Sequence, residues 1–242
     1  KGMSNTDSLK AVYDAVSRQF GMDKPLWQQF FIYVGNLFRG DLGVSIVNYP
    51  RTVSSILKDA LPWTLALQFP AIVVSWLLGN ILGALAAYLK GVFDKVVFQI
   101  FLFFNCIPPF AFALLFIFFF GIVLKVAPVS GGYSFDMSPN RSMSFFLSVL
   151  QHYQMPFWSI VLVGIGGQAL GMRSMSIYEL DADYVKYSRL LGIKNSKIVG
   201  YVFRNAMLPQ ISGLALSLGT MIGGALVAEI VFSYPGIGTA MF

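Results

Sequence analysis

The chain has 242 residues, of which 56% are hydrophobic and only 12% charged, with a mean hydropathy of +0.68. A soluble domain carries about 25% charged residues, so lipid is the main solvent, and a water-soluble enzyme or binding module is excluded. The net charge of +6 would suit nucleic acid, but the Lys and Arg residues form no dense patch interleaved with aromatics. In a membrane protein that excess marks cytoplasmic loops.

The first 60 residues, read as one external segment (1–60), mix charges with aromatics and contain no spanning run. Short amphipathic helices fit them, with "MDKP" and "FRGDLG" as breakers. The remainder, 61–242, is organised by four charge-free windows: Ala60–Leu89, Val96–Leu124, Ser142–Met172 and Asn205–Ala228. Each exceeds the ~20 apolar residues that a spanning helix needs. Their continuous runs lack the alternation of barrel strands, so four transmembrane helices in an all-α polytopic fold are expected. Pro108-Pro109 should break or kink the second helix. Gly79/Gly83, Gly167/Gly171 and Gly219/Gly223 each allow two helices to approach closely. Asn80, Gln99, Asn105 and Gln168 stand as polar groups inside apolar runs, either as glue between helices or as lining of a wet channel.

The connections set the orientation. Lys90 and Lys95 oppose Asp94 between the first two windows, and the link after the third holds Arg173, Lys186, Arg189, Lys194, Lys197 and Arg204. Between the second and third, "APVSGGYSFDMSPNRSMS" offers only Arg141, with Lys125 at the membrane edge. The bias puts the basic links in the cytoplasm and "APVSGGYSF" outside, with residues 1–60. His152 reads as an interfacial residue near the outer surface. Cys106, the only cysteine, can form no internal disulfide, so redox compartment is unreadable.

The charged island between the last two windows, about 176–208, is more organised than a plain link. Leu180, Tyr184, Tyr187 and Leu191 recur at helical spacing, and Asp181 or Asp183 can cap the start, where the helix dipole favours an anion. Gly192 suits the left-handed position that ends such a helix. Asn195 or Ser196 can cap a second helix, with a stripe of Ile198, Val199, Val202, Phe203, Ala206 and Met207, before Pro209 marks the approach to the membrane. Two short amphipathic helices hinged at a glycine result. Periodicity alone leaves a plain solvated loop equally open.

"DYVKYSRLLGI" followed by "RNAMLP" resembles the cytoplasmic EAA-type loop of ABC importer permeases, in the variant of the dipeptide and oligopeptide (OppB/DppB-type) branch. "FGMDKPLWQQFFIYVGNLFRGDLGVSI" is similar to the external segment after that family's first helix, and "VAEIVFSYPGIGTAMF" to the outer end of its fifth. Lys186, Tyr187 and Ser188 stand where the general pattern has Glu-Ala-Ala. The resemblance implies a type I importer permease fold of six helices, one before residue 1 and one after residue 242. It also implies a cell inner-membrane, multi-pass subunit that takes up peptides or related solutes, oligosaccharides among them. Its partners would be a second homologous permease, two cytoplasmic ATPase subunits carrying ATP and Mg, and an external solute-binding protein. The chain itself would bind no cofactor, metal or nucleic acid.

On this reading the island seats in a groove of an ATPase. Tyr184, Val185, Tyr187, Leu190 and Gly192 would form the contact core, with Asp183, Lys186 and Arg189 as polar contacts. Pro108 and Pro109 fall near the pathway. Glu229, with Tyr234, Pro235 and Gly236, is a candidate outer gate or binding-protein contact, the plainer alternative being an interfacial carboxylate. A secondary transporter or channel is the competing reading, but that class places carboxylates or broken helices around an ion site at mid-membrane, and the windows carry no charge. A membrane-embedded enzyme would need a poised acid, base, nucleophile or metal. No G-x-x-x-x-G-K-[ST] phosphate loop is present.

Overall fold

The computed structural model describes residues 17, 21–22, 24–89 and 91–242, with the side chains at 222, 224 and 225 outside the description. The expectations for residues 1–16 and for Lys90 lie outside the described residues. The chain divides into two compact units, Lys1–Lys58 and Asp59–Phe242.

In the first unit α1, Leu26–Phe38, starts directly after Pro25. Pro25 is itself extended, with φ −57° and ψ 146°, and its missing N–H costs nothing at a helix start. The helix stops at the "FRGDLG" breaker, where Gly40 and Gly43 both take φ +75° and the Asp41 carboxylate accepts the Gly43 N–H at 2.9 Å. An isolated bridge joins Val44 and Thr52.

The helices that follow are α2 (Val53–Leu89), α3 (Gln99–Cys106), α4 (Pro109–Phe116), α5 (Met143–Leu180), α6 (Asp183–Leu190), α7 (Asn195–Val231) and α8 (Ile237–Met241). π-Helical turns precede α3 at Phe93–Phe98 and follow α4 at Ile117–Val123. Among the described residues, α2 and α5 are each long and apolar enough to cross a membrane, and the bent pair of the second window would make a third, against the four spans expected. The fourth apolar window lies within α7, a helix of 37 residues. The second window is broken at Pro108-Pro109, as expected of that pair. Phe93–Cys106 and Pro109–Val123 are bent by 106° at their junction. The cause is local: Ile107 and Pro108 are extended, with ψ of 129° and 135°, because a residue before proline is driven out of the helical region. By contrast Pro62, Pro70, Pro156 and Pro209 are all carried inside helices, a tolerance typical of membrane segments.

Lipid exerts no hydrophobic pull between helices, so they associate through close packing and hydrogen bonds. The glycines of α2 supply the packing. A Cβ on Gly79 would sit 2.8 Å from the Ile165 carbonyl oxygen, and one on Gly83 would collide with the Ala169 carbonyl. Around this crossing lie Ala71, Val161 and Ile165, then Ala86, Phe98 and Ala169. Trp76 Nε1 donates to the Gln210 carbonyl at 2.9 Å, tying α2 to α7. At one end of the crossing Arg173 grips Asp94 with two parallel bonds, Nε to Oδ1 at 2.7 Å and an Nη to Oδ2 at 2.8 Å, and its guanidinium lies 5.2 Å over the Phe98 ring. Bidentate pairing of this kind fixes orientation as well as energy.

His152 is buried, and its Nδ1 donates to the Ser148 carbonyl at 2.8 Å. The three glycine pairs also differ in environment. Gly167 faces the Asn105 amide and Gly171 the Gln210 amide, each at 3.2 Å from an added Cβ, while Gly219 and Gly223 meet nothing within 4 Å.

Gly83→Val is therefore expected to cost about 3 kcal/mol or more by overpacking, read as a lowered unfolding temperature in detergent, whereas Gly219→Ala leaves that temperature unchanged. A double-mutant cycle over Asp94→Ala and Arg173→Ala should return a coupling of roughly 1–3 kcal/mol; additive losses would show that the pair contributes no stability of its own.

Candidate functional site

The island begins where α5 ends, and α5 runs past its apolar window to Leu180. Only Asp181 and Ala182 separate it from α6. The N-cap of α6 is Ala182 without a side-chain bond, so neither Asp181 nor Asp183 caps it as expected. Asp183 instead occupies the first turn, where the helix dipole favours its charge, and pairs with the exposed Lys186 at 2.9 Å. At the other end Gly192 adopts φ +71°. Its N–H bonds to the Arg189 carbonyl at 3.0 Å, and the Ile193 N–H to the Ser188 carbonyl at 3.1 Å. These two bonds define a Schellman stop, in which glycine avoids the left-handed penalty of a β-carbon.

The second helix is not short. Lys194 is the N-cap of α7, with Asn195 and Ser196 already inside, and α7 continues through Pro209 into the fourth window. The island is thus one short helix wedged between two long ones. Val185 is fully buried and packs on Ile198 and Val202, with Leu180, Tyr184 and Ile193 around them. The Tyr184 hydroxyl donates to Glu179 Oε2 at 2.8 Å, and the Asn205 amide reaches the same oxygen at 3.4 Å. Burial first, and the Glu179 carboxylate after it, push the Tyr184 hydroxyl above its ordinary range, so it remains a donor at neutral pH.

Val185 and Tyr184 hold the hairpin to its own chain. Tyr187, Leu190 and Leu191 point away, at 66%, 82% and 79% exposed, with Lys186, Arg189 and Gly192 also exposed beside them. The periodic stripe of Leu180, Tyr184, Tyr187 and Leu191 is therefore split. Its first two members face inward, and the last two lie beyond the reach of Ile198 and Val202.

A second cluster caps the far end of α7. Glu229 is fully buried. Its Oε2 accepts the Gly238 N–H at 2.6 Å, and its carbonyl accepts the Tyr234 N–H at 2.8 Å. Thr64 Oγ1 accepts the Ile237 N–H at 2.8 Å, and the Thr239 hydroxyl donates to the Tyr234 carbonyl at 2.6 Å. The carboxylate lies against Gly236, where a β-carbon could not fit. Tyr234 is buried under the Trp63 ring, edge to face at 5.6 Å, and the Gly131 N–H reaches the Phe232 carbonyl at 2.8 Å. Glu229, Tyr234 and Gly236 thus come together, with Pro235 against Gly132. Pro108 and Pro109 belong to the bend between α3 and α4 instead.

Thr64, Trp63 and Glu179 were not singled out in the sequence, nor was the Asp94–Arg173 grip. Each partner lies on a different helix or across a chain reversal, and no local spacing signals such a pairing.

A family model described as the binding-protein-dependent transport system inner membrane component matches residues 79–242. The chain is 33% identical over 244 residues to the probable D,D-dipeptide transport system permease protein DdpB of Escherichia coli (strain K12), covering 94% of this chain and 72% of that protein. It is 31% identical over 235 residues to the di/tripeptide transport system permease protein DppB of Pseudomonas aeruginosa (strain UCBPP-PA14), covering 91% and 70%. The glutathione transport system permease protein GsiC of Escherichia coli (strain K12) is 29% identical over 229 residues, covering 94% and 70%. The chain belongs to the binding-protein-dependent transport system inner membrane component family: it is an inner-membrane permease subunit of an ABC importer, working with a partner ATPase and a solute-binding protein.

Proposed function

We propose that this permease forms part of the transmembrane pathway of a peptide importer and that α6 is the handle by which a cytoplasmic ATPase drives it. The observation that carries the reading is the outward set of Tyr187, Leu190 and Leu191 on a helix anchored from behind by Val185. Apolar anchors on a short helix suit a groove in a partner. Lys186 and Arg189 at the rim steer and orient such a contact. The mechanics follow from continuity. Because α5 and α7 leave the island without a flexible link, a displacement of α6 is delivered to both helices as rigid bodies. Gly192, Asp183 and the buried Tyr184 and Val185 then act as supports of the handle.

Two ATPase subunits, carrying ATP and Mg, and a second homologous permease complete the assembly. The chain is a non-catalytic transport subunit that binds no cofactor. The open faces of Gly219 and Gly223 are suited to close contact with the second permease. The solute is a peptide or a close relative, supported by kin named for D,D-dipeptides, di- and tripeptides, and glutathione. Glu229, Tyr234, Pro235 and Gly236 serve as an outer cap that must loosen for solute to pass.

Co-purification tests the handle. Leu190→Glu with Leu191→Glu should reduce recovery of the ATPase at least tenfold while the permease keeps its unfolding temperature; undiminished recovery would refute the assignment. Gly192→Val should fall between, since left-handed backbone costs a branched residue about 1–2 kcal/mol. For the cap, Glu229→Ala leaves the Gly238 N–H unpaired, at a cost of about 1–3 kcal/mol. Hydrogen exchange across residues 232–241 should quicken accordingly, while Glu229→Gln, which keeps an acceptor, stays near the parent rate.

A further inference from the structure

A cavity of about 290 Å³ lies in the bundle between α2, α4, α5 and α7, close to the lower bound of about 300 Å³ for ligand sites. Its polar lining comes from Gln68, Ser159, Ser217 and Thr220, and none of its lining residues is charged. Pro109, at the bend, closes one side.

The hydrogen-bond state of these four residues is specific. Ser159, Ser217 and Thr220 each donate the hydroxyl proton to a carbonyl of their own helix, Pro156, Gly213 and Leu216, at 2.8, 2.9 and 3.1 Å. Their oxygens therefore retain only acceptor capacity toward the cavity. Gln68 is the opposite case. It is 4% exposed, and its Nε2 has no hydrogen-bond partner. A buried amide nitrogen left unpaired costs free energy that an occupant would recover. Rotation about its last torsion lets the amide present N–H donors to the cavity, opposite hydroxyl acceptors on other helices.

One N–H donor facing hydroxyl acceptors, with no formal charge, is the complement of a neutral amide, which has one carbonyl acceptor and one N–H donor. The lining offers no counter-charge to an ammonium or carboxylate group. The cavity also sits directly beneath the cap. Gln68 is one helical turn from Thr64, which holds the Ile237 N–H, and the lining Ala228 adjoins Glu229.

We propose that this cavity is a transient solute subsite under the outer cap, in which the Gln68 amide donates to a backbone carbonyl of a passing peptide and one of the three hydroxyl oxygens accepts its N–H. The inference rests on the importer reading and adds the chemical group that the pathway recognises. Such a contact passes peptides of different side chains alike, because every peptide bond presents the same pair of groups.

The test uses the assembled importer with its binding protein in proteoliposomes and trialanine as probe. In a Cys106→Ser background, Ser217→Cys should react with a small cationic methanethiosulfonate added from outside during ATP turnover, and trialanine should slow that reaction at least threefold. An unreactive thiol, as when lipid or another helix fills the cavity, or a rate indifferent to trialanine, would overturn the proposal. In parallel, Gln68→Leu should lower trialanine uptake at least fivefold while binding-protein-stimulated ATP hydrolysis stays within twofold; unchanged uptake would overturn it as well. If Gln68→Leu fails to assemble, the labelling arm alone decides. Failure of the handle reading would appear separately, as loss of stimulated hydrolysis or of ATPase recovery in the parent protein.

Discussion

At Gly83 the backbone of α2 lies directly against the Ala169 carbonyl and the Arg173 amide of α5. No side chain intervenes. In hydrocarbon the apolar surface of a helix is as well solvated by lipid as by another helix, so this approach has to be driven by packing and polar contacts. The missing β-carbons at Gly79 and Gly83 allow it, and the Trp76 bond to Gln210 adds the third helix. The other features are arranged around the crossing. The Arg173–Asp94 grip closes one end of it, and the cap that encloses Glu229 gathers on Thr64 of the same helix.

Two kinds of surface follow from this arrangement. Along the spans, exposed side chains such as Phe103, Phe118 and Leu216 are what a lipid-facing surface requires. At α6 exposed apolar residues have another meaning, because they stand among Asp183, Lys186 and Arg189 on a helix of eight residues. Among the described residues no helix covers Leu190 and Leu191, which are 82% and 79% exposed. On the reading proposed above, force enters the membrane bundle there, with the buried Val185 behind it as a stiff backing.

The cap and the cavity beneath it show how a charge-poor bundle handles polarity. Glu229 is enclosed with the backbone N–H groups of the "YPGIG" turn, which satisfies those donors without water. Gln68, one turn further along α2, keeps an unpaired nitrogen. Buried polar groups are normally satisfied; among the described residues Gln68 Nε2 and Glu229 Oε1 both lack a partner, and of the two only Gln68 lines the cavity.

The sequence by itself determined the class of the protein. Four uncharged windows, the Lys and Arg bias of their links, and an island ending at Gly192 are properties of local composition and period, legible without any long-range contact. Pro108-Pro109 likewise announced a break, because the restriction on the residue before proline is local. Only the tertiary structure decided how the pieces are used. It set the break at Pro108-Pro109 to a 106° bend, fused the second island helix with the span after it, and buried Val185 against Ile198 and Val202. It also drew Glu229 into a closed cap with Thr64 and paired Arg173 with Asp94. Those outcomes depend on which helix faces lie together across the bundle, and periodicity along one helix carries no record of its neighbour's register.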